Sequence, residues 1–251
     1  MAFQRPSAPR FIELIGPAGA GKSSFAEALV QNCHKVGTGS PPYFRKYADL
    51  PFFIINSAKF LPVFTRLILD PKQRNPSPRQ IIWMITLQGW PQKINKERLS
   101  SKEVTFLDQG PVFIMTDLYR FHCLNLQNKV IKKWWVEVIK NWARTLDMVV
   151  WLDSPNEILI ERIRRRSKWH LMKNRNDADL TLFLEDYRNC FNRILSSLHL
   201  YNKNIRVIRF NTSRESMEGM VDRLLAELEI KKNRESNHPL DGYNQPVMSF
   251  K

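Results

Sequence analysis

Residues Gly16-Pro17-Ala18-Gly19-Ala20-Gly21-Lys22-Ser23 fit the pattern G-x-x-x-x-G-K-[ST], and this stretch restricts the fold of the 251-residue chain more than any other. Glycines at these intervals let the backbone close until successive N–H groups converge on an anion. A helix starting at the end of the loop adds the positive end of its dipole. The context fits: Phe11-Ile12-Glu13-Leu14-Ile15 reads as a short buried strand before the loop, and Ser23 to Cys33 has the apolar spacing of a helix after it. Such a unit cradles nucleotide phosphates, with Lys22 reaching the β and γ phosphates and the Ser23 hydroxyl binding Mg²⁺. The residues expected to line an ATP are Gly16, Pro17, Ala18, Gly19, Ala20, Gly21, Lys22, Ser23 and Ser24.

Three more runs read as strands. Val104 to Leu107 ends in Asp108, Met148 to Leu152 ends in Asp153, and Ile205 to Phe210 runs into Asn211-Thr212-Ser213. Between them lie helical stretches at Gln80 to Arg98, Val130 to Thr145, Asn156 to Lys168, Leu180 to Leu198 and Glu215 to Ile230. Strands separated by long helices imply an α/β fold of three layers, a parallel sheet flanked by helices, with ligand at the C-terminal strand ends. Residues 1–230 read as one domain. Val36 to Pro78, rich in proline and aromatics, reads as a helical insertion, and Lys231 to Lys251, which lacks periodicity, as a mobile tail. Inside the insertion, Pro51 to Leu69 is interrupted by Asn56, Lys59, Pro62 and Arg66. It reads as a core-packed helical pair, with a membrane-surface helix as the alternative and no uninterrupted transmembrane run.

A phosphate loop needs a second acid for the metal at the end of another buried strand, and Asp108 has that position, which makes it a candidate catalytic and metal-binding residue alongside Ser23. A third element is Glu161 to Lys168, ERIRRRSK. Arg162 and Arg166 lie four apart on one helix face, while Ile158, Leu159 and Ile163 suit the buried side. Seven basic residues and two acids fall between Pro155 and Arg175. A charge run on a helix is ordinarily a solvated face. Here it follows the strand ending in Asp153, close to the expected nucleotide, where guanidiniums stabilise charge on a transferring phosphoryl group.

Taken together, GPAGAGKSS, FLDQG, VVWLDSPNEILIERIRRR and VIRFNTS resemble the nucleoside and nucleotide kinases of the P-loop class, nearest the thymidylate-kinase-like branch. The resemblance implies a P-loop NTPase fold, with Asp153 and Pro155 leading into a lid at about 160–178. It implies that Lys22, Asp108, Arg162 and Arg166 act in catalysis, with Arg162 and Arg166 as lid arginines. It also puts Thr212 and Ser213 near the adenine. The chain departs from that pattern on the acceptor side. Gln109-Gly110-Pro111 replaces the arginine after the strand-end acid, and the helix from Gln80 offers Arg79, Gln88 and Gln92 in place of an arginine-rich motif. An anionic acceptor would lack its cations, so a hydroxyl-bearing small molecule is slightly favoured, with a nucleoside monophosphate close behind.

Thirty-nine Lys and Arg against 24 Asp and Glu leave a charge of +15, which suits phosphates, nucleic acid or an anionic membrane alike. A nucleic-acid-associated P-loop protein, such as a polynucleotide kinase, and an ATP-hydrolysing switch therefore stay open as rivals to a kinase. Cys33, Cys123 and Cys190 offer no disulfide framework or metal knuckle and fit a reducing cytoplasm. The N-terminal residues show no signal-peptide run, and a homodimer is compatible with the sequence. His34, His122, His170, His199 and His238 have no metal-ligand spacing, and Trp134, Trp135 and Trp142 suit a core. Glu13 breaks the apolar pattern of its strand and reads either as an edge exposure or as a carboxylate near the acceptor.

Overall fold

In the computed structural model, residues 10–39, 41, 47–70, 75–97, 104–121, 124–167 and 172–230 are described. The elements run β1 (Arg10–Ile15), α1 (Lys22–Asn32), β2 (Val36–Gly39), α2 (Leu50–Leu69), α3 (Pro78–Glu97), β3 (Val104–Asp108) and α4 (Pro111–Arg120). They continue with α5 (Lys129–Thr145), β4 (Met148–Asp153), α6 (Asn156–Arg165), α7 (Asp177–His199), β5 (Arg206–Asn211) and α8 (Met217–Glu227). The five strands form one all-parallel sheet in the order β2-β3-β1-β4-β5. Parallel strands need helical crossovers that cover both faces, and the alternation of β1 shows the result. Phe11 and Ile15 join a core with α2, α3, α4, α5 and α7, while Ile12 and Leu14 join a second core with α1, α6 and α8. The α/β, three-layer expectation and the P-loop NTPase fold hold. β1 is central, so its loop opens at the C-terminal edge of the sheet between the ends of β3 and β4.

Two sequence expectations change, and one helix was not foreseen. Val36–Gly39 is an edge strand paired in register with β3, so the segment from Val36 to Pro78 begins inside the sheet rather than as a helical insertion. Two glycines in four residues hid it, because they carry no β propensity. Leu50–Leu69 is one helix, not a pair. Pro51 sits at its start, and the chain stays helical through Pro62, one face packed in the core by Phe53, Phe60, Val63 and Leu67. This helix is long and apolar enough to cross a membrane by length and composition. Finally, α4 follows the β3 turn at once, with Pro111 in its first turn, where a missing N–H costs no helical bond.

The tryptophan expectation holds: Trp142 is fully buried, its indole N–H donating to the Leu87 carbonyl (2.9 Å), with Trp90 edge-on at 5.3 Å. Trp134 donates to the Gln88 side chain (2.9 Å), so Gln88 serves the core rather than an acceptor, and Gln92 lies on the exposed side of α3. Cys33 and Cys190 are free and buried. The C-terminal tail, Lys168 to Leu171 of the lid, Cys123, His122 and His238 lie outside the described residues.

Candidate active site

The loop between β1 and α1 has three glycines with positive φ, at Gly16 (150°), Gly19 (83°) and Gly21 (85°). Two are fixed by close approach as well. A Cβ on Gly16 would stand 2.1 Å from the Leu152 carbonyl at the end of β4, and one on Gly19 would stand 3.0 Å from the Leu159 carbonyl in α6. The loop is thus wedged against two neighbouring elements and cannot relax into a wider turn. No side chain caps α1, whose first residues are Lys22, Ser23 and Ser24, so its N-terminal N–H groups face the loop for an anion to meet.

Lys22 folds back over the loop, its ammonium donating to the carbonyls of Gly16 (2.7 Å) and Pro17 (3.1 Å). Burial, with the Arg166 charge adding to it and Asp108 opposing, lowers its pKa to about 8. A half-buried cation held on the wall of a cavity gains from a polyanion placed there.

Asp108 ends β3 as an exposed carboxylate, and Gln109 beside it takes a left-handed φ of 53°. That turn is pinned from beneath by Glu13, which is fully buried. Its carboxyl accepts from the backbone N–H groups of Val112 (2.7 Å) and Phe113 (2.8 Å), the first turn of α4, replacing a side-chain cap that α4 lacks. Gly110 fits over it only because it has no Cβ, which would lie 2.7 Å from the Glu13 carboxyl carbon. Burial pushes the Glu13 pKa up to about 8, against the pull of the two N–H groups and with a smaller push from Asp108. The edge-exposure reading of Glu13 is therefore wrong, because β1 is the middle strand.

Arg162 ties three segments together. Its guanidinium donates to the Thr212 hydroxyl (2.8 Å) and carbonyl (2.9 Å) and to the Gly19 carbonyl (3.4 Å). Thr212 is itself anchored to β4, its N–H on the Asp153 carbonyl at 2.8 Å. Contrary to expectation, Arg166 does not share a helix face with Arg162, because α6 ends at Arg165 and the backbone turns extended at Arg166, which is exposed; of the residues expected on the buried side, Leu159 and Ile163 are buried and Ile158 is half-buried. A cavity of about 460 Å³ brings together Gly16, Ala18 to Ser24, Asp108, Arg162 and Arg166, with a far wall of Gln109, Phe113, Phe183 and Tyr187. A second cavity of about 300 Å³ lies across Arg162, lined by Thr212, Leu152, Phe25, Met217 and Met220. Pro17 stays beneath the loop and lines neither. Among the described residues, no three His, Cys, Asp or Glu side chains gather as a metal site. That suits Mg²⁺, which is commonly held by one or two protein oxygens plus phosphates and water; Ser23 and Asp108 on one cavity are such a pair.

Several residues escaped sequence reasoning. Asp117, on the second turn of α4, is buried and accepts from the Tyr187 hydroxyl at 2.8 Å. Burial raises its pKa, opposed by that hydrogen bond and by Arg120 and Arg79. Arg120 lies over the Tyr187 ring at 3.8 Å and donates to Asp186 at 2.6 Å. Arg79 stacks on Trp83 at 4.3 Å, and Trp83 meets Phe113 edge-on. Asp153 is held by Arg188 of α7 through two hydrogen bonds, 2.8 and 2.9 Å, so it joins α7 to β4 rather than facing the cavity. Arg188 and Tyr187 sit in a helix with no motif around them, and nothing in the sequence alone marks them.

No family model and no curated protein matches the chain. Among solved structures it is similar to the tunicamycin resistance protein of Deinococcus radiodurans, at 12% identity and a TM-score of 0.44, over 90% of this chain and 99% of that one.

Proposed function

We propose that this protein is an ATP-dependent phosphotransferase that moves the γ-phosphoryl group of ATP to a hydroxyl of a small-molecule acceptor. The observation that carries the reading is the single cavity in which a phosphate loop, a strand-end carboxylate and two arginines meet an aromatic wall. The loop amides, Lys22 and the start of α1 hold the phosphates, and Ser23 and Asp108 would hold Mg²⁺, which would supply charge neutralisation of the polyphosphate. The second cavity takes the adenine between Phe25, Met217 and Met220, with Arg162 and Thr212 at its mouth.

Transfer of this kind is mostly positioning and electrostatics. Lys22 and Arg166 face the migrating charge across the cavity. Arg162 is held by Thr212 and acts chiefly by fixing the nucleotide-side wall. The far wall bears on the acceptor. Gln109, Phe113, Phe183 and Tyr187 offer ring faces and an amide, and the Arg120 guanidinium behind the Phe183 and Tyr187 rings is already paired with Asp186, so the wall suits a neutral hydroxyl compound better than an acceptor phosphate. Asp108 then accepts the hydroxyl proton as the oxygen bonds to phosphorus and ADP departs.

An ATP-consumption screen over nucleosides, nucleoside monophosphates, sugars and polyol phosphates tests this, with the phosphorylated product identified by mass. Acceptor-dependent ADP release with a phosphorylated hydroxyl compound is the expected result. ATP hydrolysis indifferent to every acceptor, yet stimulated by a protein or nucleic acid, overturns it.

A further inference from the structure

We propose that the outer face of α2 seats this protein in the plane of an anionic lipid surface. α2 is apolar on two opposite sides. With successive side chains about 100° apart around a helix, Phe53, Phe60, Val63 and Leu67 form the arc packed into the core, around Asn56. Leu50, Ile54, Leu61, Ile68 and Leu69 fall roughly half a turn away and point outward. Their exposure is large, 62% at Ile54, 57% at Leu61, 54% at Ile68 and 71% at Leu69, so they are not the margin of the core but a second apolar face. Contiguous apolar surface of this kind marks an interaction site.

Charge chooses the occupant. Leu50 to Leu69 contains no acidic residue, and its two basic residues, Lys59 and Arg66, are exposed on one border of the outer arc. An apolar face with two basic residues along its length, whose end acids Asp49 and Asp70 are held by Lys93 and by Asn125 and Asn128, on a chain of net charge +15, complements anionic headgroups above acyl chains. The helix lies on such a surface rather than through it. Its inner arc is committed to the core, where Phe60 meets Trp134 edge-on, and crossing a bilayer would strip that packing. Asn56 packs against Gly89 of α3, where a Cβ would stand 2.3 Å from its amide, and Asp49 just before α2 pairs with Lys93 of α3, so the helix is tethered along the molecule.

The full chain is to be sedimented with vesicles of phosphatidylcholine alone and of phosphatidylcholine and phosphatidylglycerol in equal parts. The wild type binds the anionic vesicles and leaves the neutral ones. The triple variant Ile54→Glu, Leu61→Glu, Ile68→Glu loses binding with an unchanged thermal melt. The pair Lys59→Gln, Arg66→Gln touches no apolar residue and keeps the test decisive if the glutamates disturb α2. It binds anionic vesicles on the order of tenfold more weakly. Absence of vesicle binding by the wild type, equal binding to both vesicles, or an unaffected pair variant overturns the proposal. So does a triple variant that turns a dimer into a monomer in sedimentation velocity, which assigns the face to a second copy of the chain.

Discussion

Replacing Glu13 by glutamine tests the least expected feature of the sheet, a titratable group in the middle of its central strand. In the unfolded chain the carboxyl has its ordinary pKa of 4.5, and in the folded protein burial raises it to about 8. Below pH 4.5 both states are protonated and the stability associated with the group is fully present. As pH rises from there, the unfolded chain releases the proton and the folded chain retains it, so stability is lost progressively until about pH 8, where the loss is complete. A separation of this size is worth at most about 5 kcal/mol, a large share of a domain's total. Glutamine cannot titrate. It still offers one oxygen to the Val112 and Phe113 N–H groups but turns an NH₂ towards the other, which costs roughly 1–3 kcal/mol at every pH. The assay is urea unfolding of wild type and Glu13→Gln across this pH range, where all other groups cancel in the difference. The wild type's advantage over the variant should shrink steadily as pH rises. A difference independent of pH, or one that grows with it, refutes the argument that burial outweighs the two N–H groups.

The two arginines should separate kinetically. Arg166→Ala should lower kcat by about tenfold or more with little change in ATP affinity, while Arg162→Ala, which frees the Gly19 and Thr212 carbonyls, should chiefly raise the KM for ATP; steady-state kinetics distinguish them. Tyr187→Phe removes the donor to buried Asp117 and should destabilise the fold by roughly 1–3 kcal/mol in urea, with a raised acceptor KM and an unchanged ATP KM.

Much of this arrangement is legible in the residues. The G-x-x-x-x-G-K-S stretch dictates strand, loop and helix, and the apolar runs ending in Asp108 and Asp153 set two more parallel strands, because each pattern has one dominant physical outcome. What escaped has a reason in each case. β2 is four residues long with two glycines, and Val36 is its single buried apolar side chain. α4 hides behind a Gly-Pro dipeptide that reads as a turn, although Pro111 merely opens the helix. Glu13 could be interpreted only once β1 was known to be central and α4 known to begin beside it. Asp117, Tyr187 and Arg188 become neighbours through the packing of α4 and α7 against the sheet, a contact of high sequence separation that no local spacing encodes.

The central claim is phosphoryl transfer from the cavity that holds Lys22. Its most direct test follows the γ-phosphoryl of labelled ATP into the acceptor found by the screen, with wild type and Lys22→Ala compared at equal concentration. The ammonium of Lys22 touches only loop carbonyls, so the variant should keep its thermal melt within a few degrees. Transfer should fall by roughly a hundredfold to a thousandfold, as expected when a preorganised charge is removed from the site of the reaction. A Lys22→Ala protein that transfers label as fast as the wild type contradicts the account.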